Sequence, residues 1–212
     1  MQGNKLKALL AGNYSRVEYH PLEGVDRELC ALLQDEWTIE CTEDYDMLRA
    51  GQLERFRLCI SYIDTWKEKK TGKQVAGLLS FVSGGGGLLV IHNGISLHND
   101  YELAQMMGAK FLGHPAYEKL HFKSTAPDHE IMKGIESFEI DDEPYRFEFD
   151  NLTEKTVLFE YGNEGSVWPG AWALEYGLGR VVYLMPGHTA GSFANLHYRE
   201  IIRRSAGWAA GS

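Results

Sequence analysis

The chain has 212 residues, 44% of them hydrophobic and 24% charged, which is enough apolar material for the core of one ordinary globular domain spanning residues 1–212. A formal net charge of -9 disfavours nucleic acid and anionic membrane as main partners, since both need a basic face, and keeps a neutral or cationic small ligand open as a partner. No apolar stretch approaches the roughly 18 residues of a membrane-crossing helix. The N-terminal MQGNKLKALLAGNY is a poor secretory signal, and Cys30, Cys41 and Cys59 are odd in number without CxxC spacing, so a reducing, cytoplasmic setting is expected.

Lys5–Gly12 reads as a first strand, followed by a polar loop containing His20-Pro21. Val25, Leu29, Leu32 and Leu33 recur at helical spacing and predict an amphipathic helix over Gly24–Gln34. Trp37–Thr42 is a second strand, Asp44–Leu53 a short helix or turn, and Leu58–Ile63 a third strand running into Asp64-Thr65-Trp66. Val75, Leu78, Leu79 and Val82 stripe a helix over Thr71–Ser83, which four glycines close. The continuous apolar run Leu88–Ile91 then predicts a strand buried on both faces, and it ends abruptly at His92-Asn93-Gly94. Asn99-x-x-Glu102 resembles a capping box opening a short helix that Gly108 stops.

Beyond Gly108 the pattern turns strand-like. Leu120 and Phe122 alternate with His121 and Lys123, and Phe138–Ile140, Phe147–Phe149 and Lys155–Tyr161 continue the pattern. Gly177-Leu178-Gly179 joins Ala171–Tyr176 to Arg180–Met185 as a hairpin, and Asn195–Ala210 is a last helix. Strand and helix alternating through the first half predict a doubly wound, mostly parallel sheet, with the β-rich second half continuing that sheet.

In an open α/β sheet, ligands bind outside the carboxyl ends of the strands. A tight strand-to-helix turn there would present His92 at the mouth, with Gly94 giving the backbone room to turn. His114 in Gly113-His114-Pro115, Glu143 in Asp142-Glu143-Pro144-Tyr145, and His188 in Pro186-Gly187-His188 also sit at turns. A loop histidine most often only satisfies nearby backbone groups, but His92 and His188 directly follow buried strands. Histidines with a carboxylate suit acid/base work near neutral pH, and equally suit zinc or iron ligation. Spacing alone does not separate the two, because there is no HExxH and no His-x-His.

His98 and His20 are placed to line the same crevice, whereas His121, His129 and His197 read as solvated or capping residues. Trp172 alternates with Leu174 and Tyr176 as a packing face. Trp168, in the expected turn Trp168-Pro169-Gly170, and Tyr145 are candidates to wall a sugar ring. No Walker loop and no GxGxxG is present, which leaves nucleotide binding unsupported.

Taken in order, GGGLLVIHNG, Gly113-His114-Pro115, Asp142-Glu143-Pro144-Tyr145, Ala171–Val181, Gly187-His188 and Gly207-Trp208-Ala209-Ala210-Gly211 resemble the ThuA-like, or trehalose-utilisation, family over residues 77–211. The resemblance implies the class I glutamine amidotransferase-like fold, a flavodoxin-like three-layer α/β sandwich. In amidotransferase relatives the elbow residue is Cys, and a Glu stands two residues beyond a later His. Here those positions hold His92 and Ala190, which removes acyl-transfer chemistry.

What the resemblance implies instead is a role in using trehalose or a related, including oxidised, disaccharide. His92, His188 and Glu143 would be the chemical groups, and His114, Tyr145, Trp168 and Asn93 would contact substrate. His92, His114 and His188 would be ligands if a divalent metal such as zinc is held. The alternative is a non-catalytic sugar-binding or regulatory subunit serving a partner dehydrogenase, and a homo-oligomer is compatible with either.

Overall fold

The buried run Leu88–Ile91 lies at the middle of a nine-stranded sheet in the computed structural model, which describes residues 5–211. In chain order the first half contains β1 (Leu6–Gly12), α1 (Val25–Leu33), β2 (Trp37–Thr42), α2 (Ala50–Leu53), β3 (Leu58–Tyr62), α3 (Gly72–Ser83), β4 (Gly87–Ile91) and α4 (Tyr101–Met107). The second half contains β5 (Ala109–Gly113), β6 (Glu118–Ser124), β7 (Ser137–Asp142), β8 (Arg146–Phe149), β9 (Thr156–Asn163), β10 (Ser166–Tyr176), β11 (Gly179–Leu184) and α5 (Leu196–Ala210).

Strand order in the large sheet is β2-β1-β3-β4-β11-β10-β9-β6-β7. Pairing is parallel from β2 through β4 to β11 and antiparallel from β11 to β7, so the sheet is mixed rather than mostly parallel. The reason is local. The turn at Gly177-Leu178 is too short for a crossover, so it forces β10 and β11 antiparallel, while β11 returns alongside β4.

β3 and β4 are buried along their whole length, which requires cover on both faces. α5 packs on β4 and β11 with α1 beside it, and α3 packs on the same strands with α4 beside it. Phe147–Phe149 does not continue the large sheet as expected. It pairs as β8 with β5 in a separate two-stranded ribbon, and β5 itself carries no clear alternation by which to foresee it.

Helix starts follow side-chain chemistry. Thr71 and Gln74 form a capping box at α3. The box expected from Asn99 is not made: Asp100 occupies the cap position of α4, and the Asn99 amide donates to the Thr65 carbonyl at 2.8 Å. Cys59 is buried in β3, and the Cys30 and Cys41 sulfurs lie 3.8 Å apart as free thiols. No helix among the described residues is long and apolar enough to cross a membrane.

Candidate functional site

The carboxyl ends of the parallel strands converge on one hollow. β1 leads to His20, β3 to Asp64, β4 to His92 and β11 to His188, while the turn between β7 and β8 swings Glu143 across them. His92 sits where β4 turns sharply, with φ 47°, a left-handed conformation that a non-glycine residue adopts only when its surroundings hold it there. Two glycines make that turn fit. A side chain on Gly94 would overlap the Ser61 carbonyl of β3, and one on Gly187 would stand 2.9 Å from the Cβ of His92.

One carboxylate oxygen is the hub. Glu143 Oε2 lies 3.2 Å from His188 Nδ1, 3.3 Å from His92 Nε2 and 3.5 Å from His20 Nε2. His20 Nε2 and His188 Nδ1 are 3.1 Å apart. Among the described residues, His20, His92, Glu143 and His188 form the one His/Cys/Asp/Glu group with the spacing of a metal-ligand set, its donor atoms all within 4.8 Å of one another.

Two buried aspartates orient the rings. Asp64 Oδ1 is 3.3 Å from His20 Nδ1, and its Oδ2 accepts the backbone N–H groups of Glu18, Tyr19 and His20. Asp142 Oδ2 accepts the N–H of Gly187 at 2.8 Å and the hydroxyl of Ser192 at 2.7 Å, which pins the loop carrying His188. His92 Nδ1 donates to the Met185 carbonyl at 2.7 Å.

Burial and partners shift the protonation of these groups. Burial is the largest influence on His92 and lowers its pKa, favouring the neutral ring. For His20, burial opposes the charge but the carboxylates of Asp64 and Glu143 outweigh it, and the pKa rises. For Glu143, burial again opposes ionisation, and the three facing imidazoles overcome it and hold the carboxyl far below its ordinary range. Asp64 is lowered in the same manner, burial being outweighed by His20 and the loop N–H groups.

Above this floor the hollow encloses about 680 Å3, within the range that takes small molecules, and its walls include Tyr19, Trp66, Phe111, His114 and Tyr145. The Tyr145 ring stacks on His92 at 4.2 Å and on His114 at 5.3 Å, and Trp66 packs against Phe111 at 4.8 Å. His114 Nδ1 faces the Pro115 carbonyl at 2.8 Å and must donate to it, which leaves Nε2 as the nitrogen near Glu143 Oε1, 3.8 Å away. His114 therefore stands at the rim, outside the group of four.

The sequence-derived residues divide accordingly. His188, Glu143, His114 and Tyr145 line the hollow together with His20, and His92, fully buried, lies beneath its floor with its Nε2 among the donor atoms of His20, Glu143 and His188. Trp168 does not. It lies within β10 rather than in a turn, because residues 166–169 pair with β9, and it lines a different hollow with Arg146 over its ring at 5.2 Å. Asn93 is fully buried, and its amide donates to the Tyr62 carbonyl at 2.8 Å, tying β3 to the turn rather than facing a ligand. His98 packs behind the wall against Trp66. Asp64 and Asp142 were not anticipated as site groups. Their only signal was that an Asp follows or ends a strand, and nothing in that pattern says which ring it will meet.

Comparison with known families settles the kinship, since a family model described as ThuA, trehalose utilisation, matches residues 15–209. The chain belongs to the ThuA family. This ThuA-family chain superposes on a ThuA-like protein from Parabacteroides merdae with a TM-score of 0.82 at 14% identity, covering 98% of this chain and 90% of that one. It superposes on a ThuA-like protein from Bacteroides uniformis with a TM-score of 0.76 at 14% identity, covering 96% and 91%. A Salmonella typhimurium LT2 protein described as cytoplasmic gives a TM-score of 0.69 at 15% identity, covering 96% and 99%. At these identities the likeness is one of fold. No curated protein matches the ThuA-family sequence significantly.

Proposed function

We propose that this ThuA-family protein works in the cytoplasm on trehalose or a related, including oxidised, disaccharide, which it binds in the aromatic hollow and acts on through His92, His188 and Glu143. The observation that carries the reading is the convergence of three imidazoles and a carboxylate at the floor of a cavity walled by Tyr19, Trp66, Phe111 and Tyr145. Aromatic faces suit the C–H faces of a pyranose ring, and the polar floor suits its hydroxyl or carbonyl oxygens.

His114, whose Nδ1 is engaged by the Pro115 carbonyl while the residue lines the hollow, is placed to take a proton on Nε2 from a bound hydroxyl. Glutamine hydrolysis finds no support. The elbow carries an imidazole, Ala190 stands where the third triad member would be, and none of the three cysteines lines the hollow.

The test is to incubate the purified protein with trehalose, sucrose and their keto forms, following turnover by NMR and binding by calorimetry. Saturable binding is expected, weakened by Trp66→Ala and unchanged by Trp168→Ala. Conversion of the bound sugar should be abolished by His188→Ala. Failure of every one of these sugars to bind would overturn the reading, and binding without turnover would leave a sugar-binding subunit in place of an enzyme.

A further inference from the structure

The floor of the hollow contains a contact that the protein's own atoms leave unresolved. His92 Nδ1 is 2.7 Å from the Met185 carbonyl, which can only accept, so that nitrogen carries the hydrogen and Nε2 carries a lone pair. This nitrogen lies 3.3 Å from Glu143 Oε2 but off the line of a hydrogen bond, and neither atom has a hydrogen-bond partner although both are buried. Two acceptors thus lie side by side, and the ring is 0% exposed. A second proton on His92 would ease that contact, but would place an imidazolium out of reach of water.

His20 repeats the pattern. Its Nδ1 faces the acceptor-only carboxylate of Asp64 at 3.3 Å, and its Nε2 is turned inward, 3.1 Å from His188 Nδ1. Hydrogen bonding of one ring nitrogen to a carbonyl or carboxylate, leaving the other to point at a common centre, is how metal-binding histidines are held.

Charge argues in the same direction. Asp64, Asp142 and Glu143 surround the floor, the two aspartates fully buried; the aspartates accept from backbone N–H groups, a serine hydroxyl and an indole, and the groups nearest Glu143 are imidazoles. Among the described residues, no lysine or arginine lines the hollow. The spacing agrees as well. Donors about 2.1 Å from one ion lie about 3.0–3.4 Å apart when adjacent and about 4.2 Å apart when opposite. The closest donor pairs here lie 3.1–3.5 Å apart, and the widest, within 4.8 Å, needs only a slight inward turn.

We propose that His20 Nε2, His92 Nε2, His188 Nδ1 and the Glu143 carboxylate bind one divalent transition-metal ion of the zinc class, with the coordination sphere open toward the aromatic hollow. Three imidazoles and one carboxylate are a borderline donor set, suited to zinc, cobalt, manganese, nickel or ferrous iron over magnesium or calcium. Glu143 is then a ligand and not a free base, and His114, standing outside the four, is the group left to move a proton. The metal assignment stands on geometry alone. Only its role toward a sugar oxygen rests on the sugar reading.

The experiment uses the full chain without a polyhistidine tag, stripped with chelator and titrated with Zn2+ and Co2+. Stoichiometry is read by mass spectrometry, affinity by calorimetry, and coordination by the visible bands of Co2+. One ion per chain is expected, with a Kd below about 1 μM that weakens at least about 100-fold in His188→Ala and Glu143→Gln. His188 is partly exposed, so its variant should fold, and circular dichroism checks both.

Folded protein that takes up no stoichiometric ion overturns the proposal, as does an ion whose affinity neither variant changes. Sugar titration of chelator-stripped and metal-loaded protein separates the two readings. Sugar bound without any metal site sinks only the metal, and a metal site with no sugar bound sinks only the sugar.

Discussion

His92 shows how one side chain's role is set by constraints on either side of it. Its left-handed backbone holds the ring beneath the floor of the hollow, beside Glu143, the Met185 carbonyl fixes which nitrogen carries the hydrogen, and the Tyr145 ring stacks on its face. Asp64 does the same for His20, while also closing the loop from Glu18 to His20 through three backbone N–H groups. Asp64→Asn keeps an acceptor for those N–H groups but removes the charge that orders the His20 ring. Metal affinity should therefore fall about 10–100-fold while the fold persists. Calorimetry with Zn2+ measures this, and equal affinities would show that His20 needs no such support.

At the scale of elements, strands and capped helices were readable and pairing partners were not. The apolar run of β4, the stripe of α3 and the glycine turn before β11 lie within a residue or two of where periodicity puts them. β5 is not legible because an apolar residue, Leu112, takes an exposed position and breaks the alternation of the sequence, and β8 pairs outside the expected sheet because alternation does not name a neighbour.

α5 offers a pH test away from the hollow. Glu200 accepts from Arg203 at 2.8 Å and Arg204 at 2.7 Å, and these bonds, Arg203 first, lower its carboxyl to about 2. A depressed folded pKa stabilises above the ordinary carboxyl value of 4.5, and this contribution fades as pH falls from there toward 2. The pairs are partly exposed, so Glu200→Gln should lose only about 0.3–1 kcal/mol at pH 7. Urea melts at pH 7 and at pH 2 should show that gap closing, and a gap that persists at low pH would mean the glutamate acts by packing and not by charge.

For the whole molecule, the site is spread over loops after β1, β3, β4, β7 and β11, so an ion held there ties strands distant in the chain to one point. Zn2+ at about a hundredfold excess over its Kd should add about 2.7 kcal/mol of stability. For a chain of this size, that raises the melting temperature by about 5–10 °C in thermal scans of stripped against loaded protein. An unchanged melting temperature under saturating metal would mean that the ion binds the unfolded chain equally well.

The sequence by itself determined the α/β class, the family, the buried central strand and the turn histidines, because periodicity, glycine placement and ordered motifs are local properties. Only the tertiary structure decided that the sheet is mixed, that Trp168 and Asn93 lie off the hollow, that His20 and not His98 lines it, and that Asp64 and Asp142 hold the groups beneath its floor. Contacts such as His20 with His188, 168 positions apart, depend on which strands become neighbours, and no local pattern encodes that.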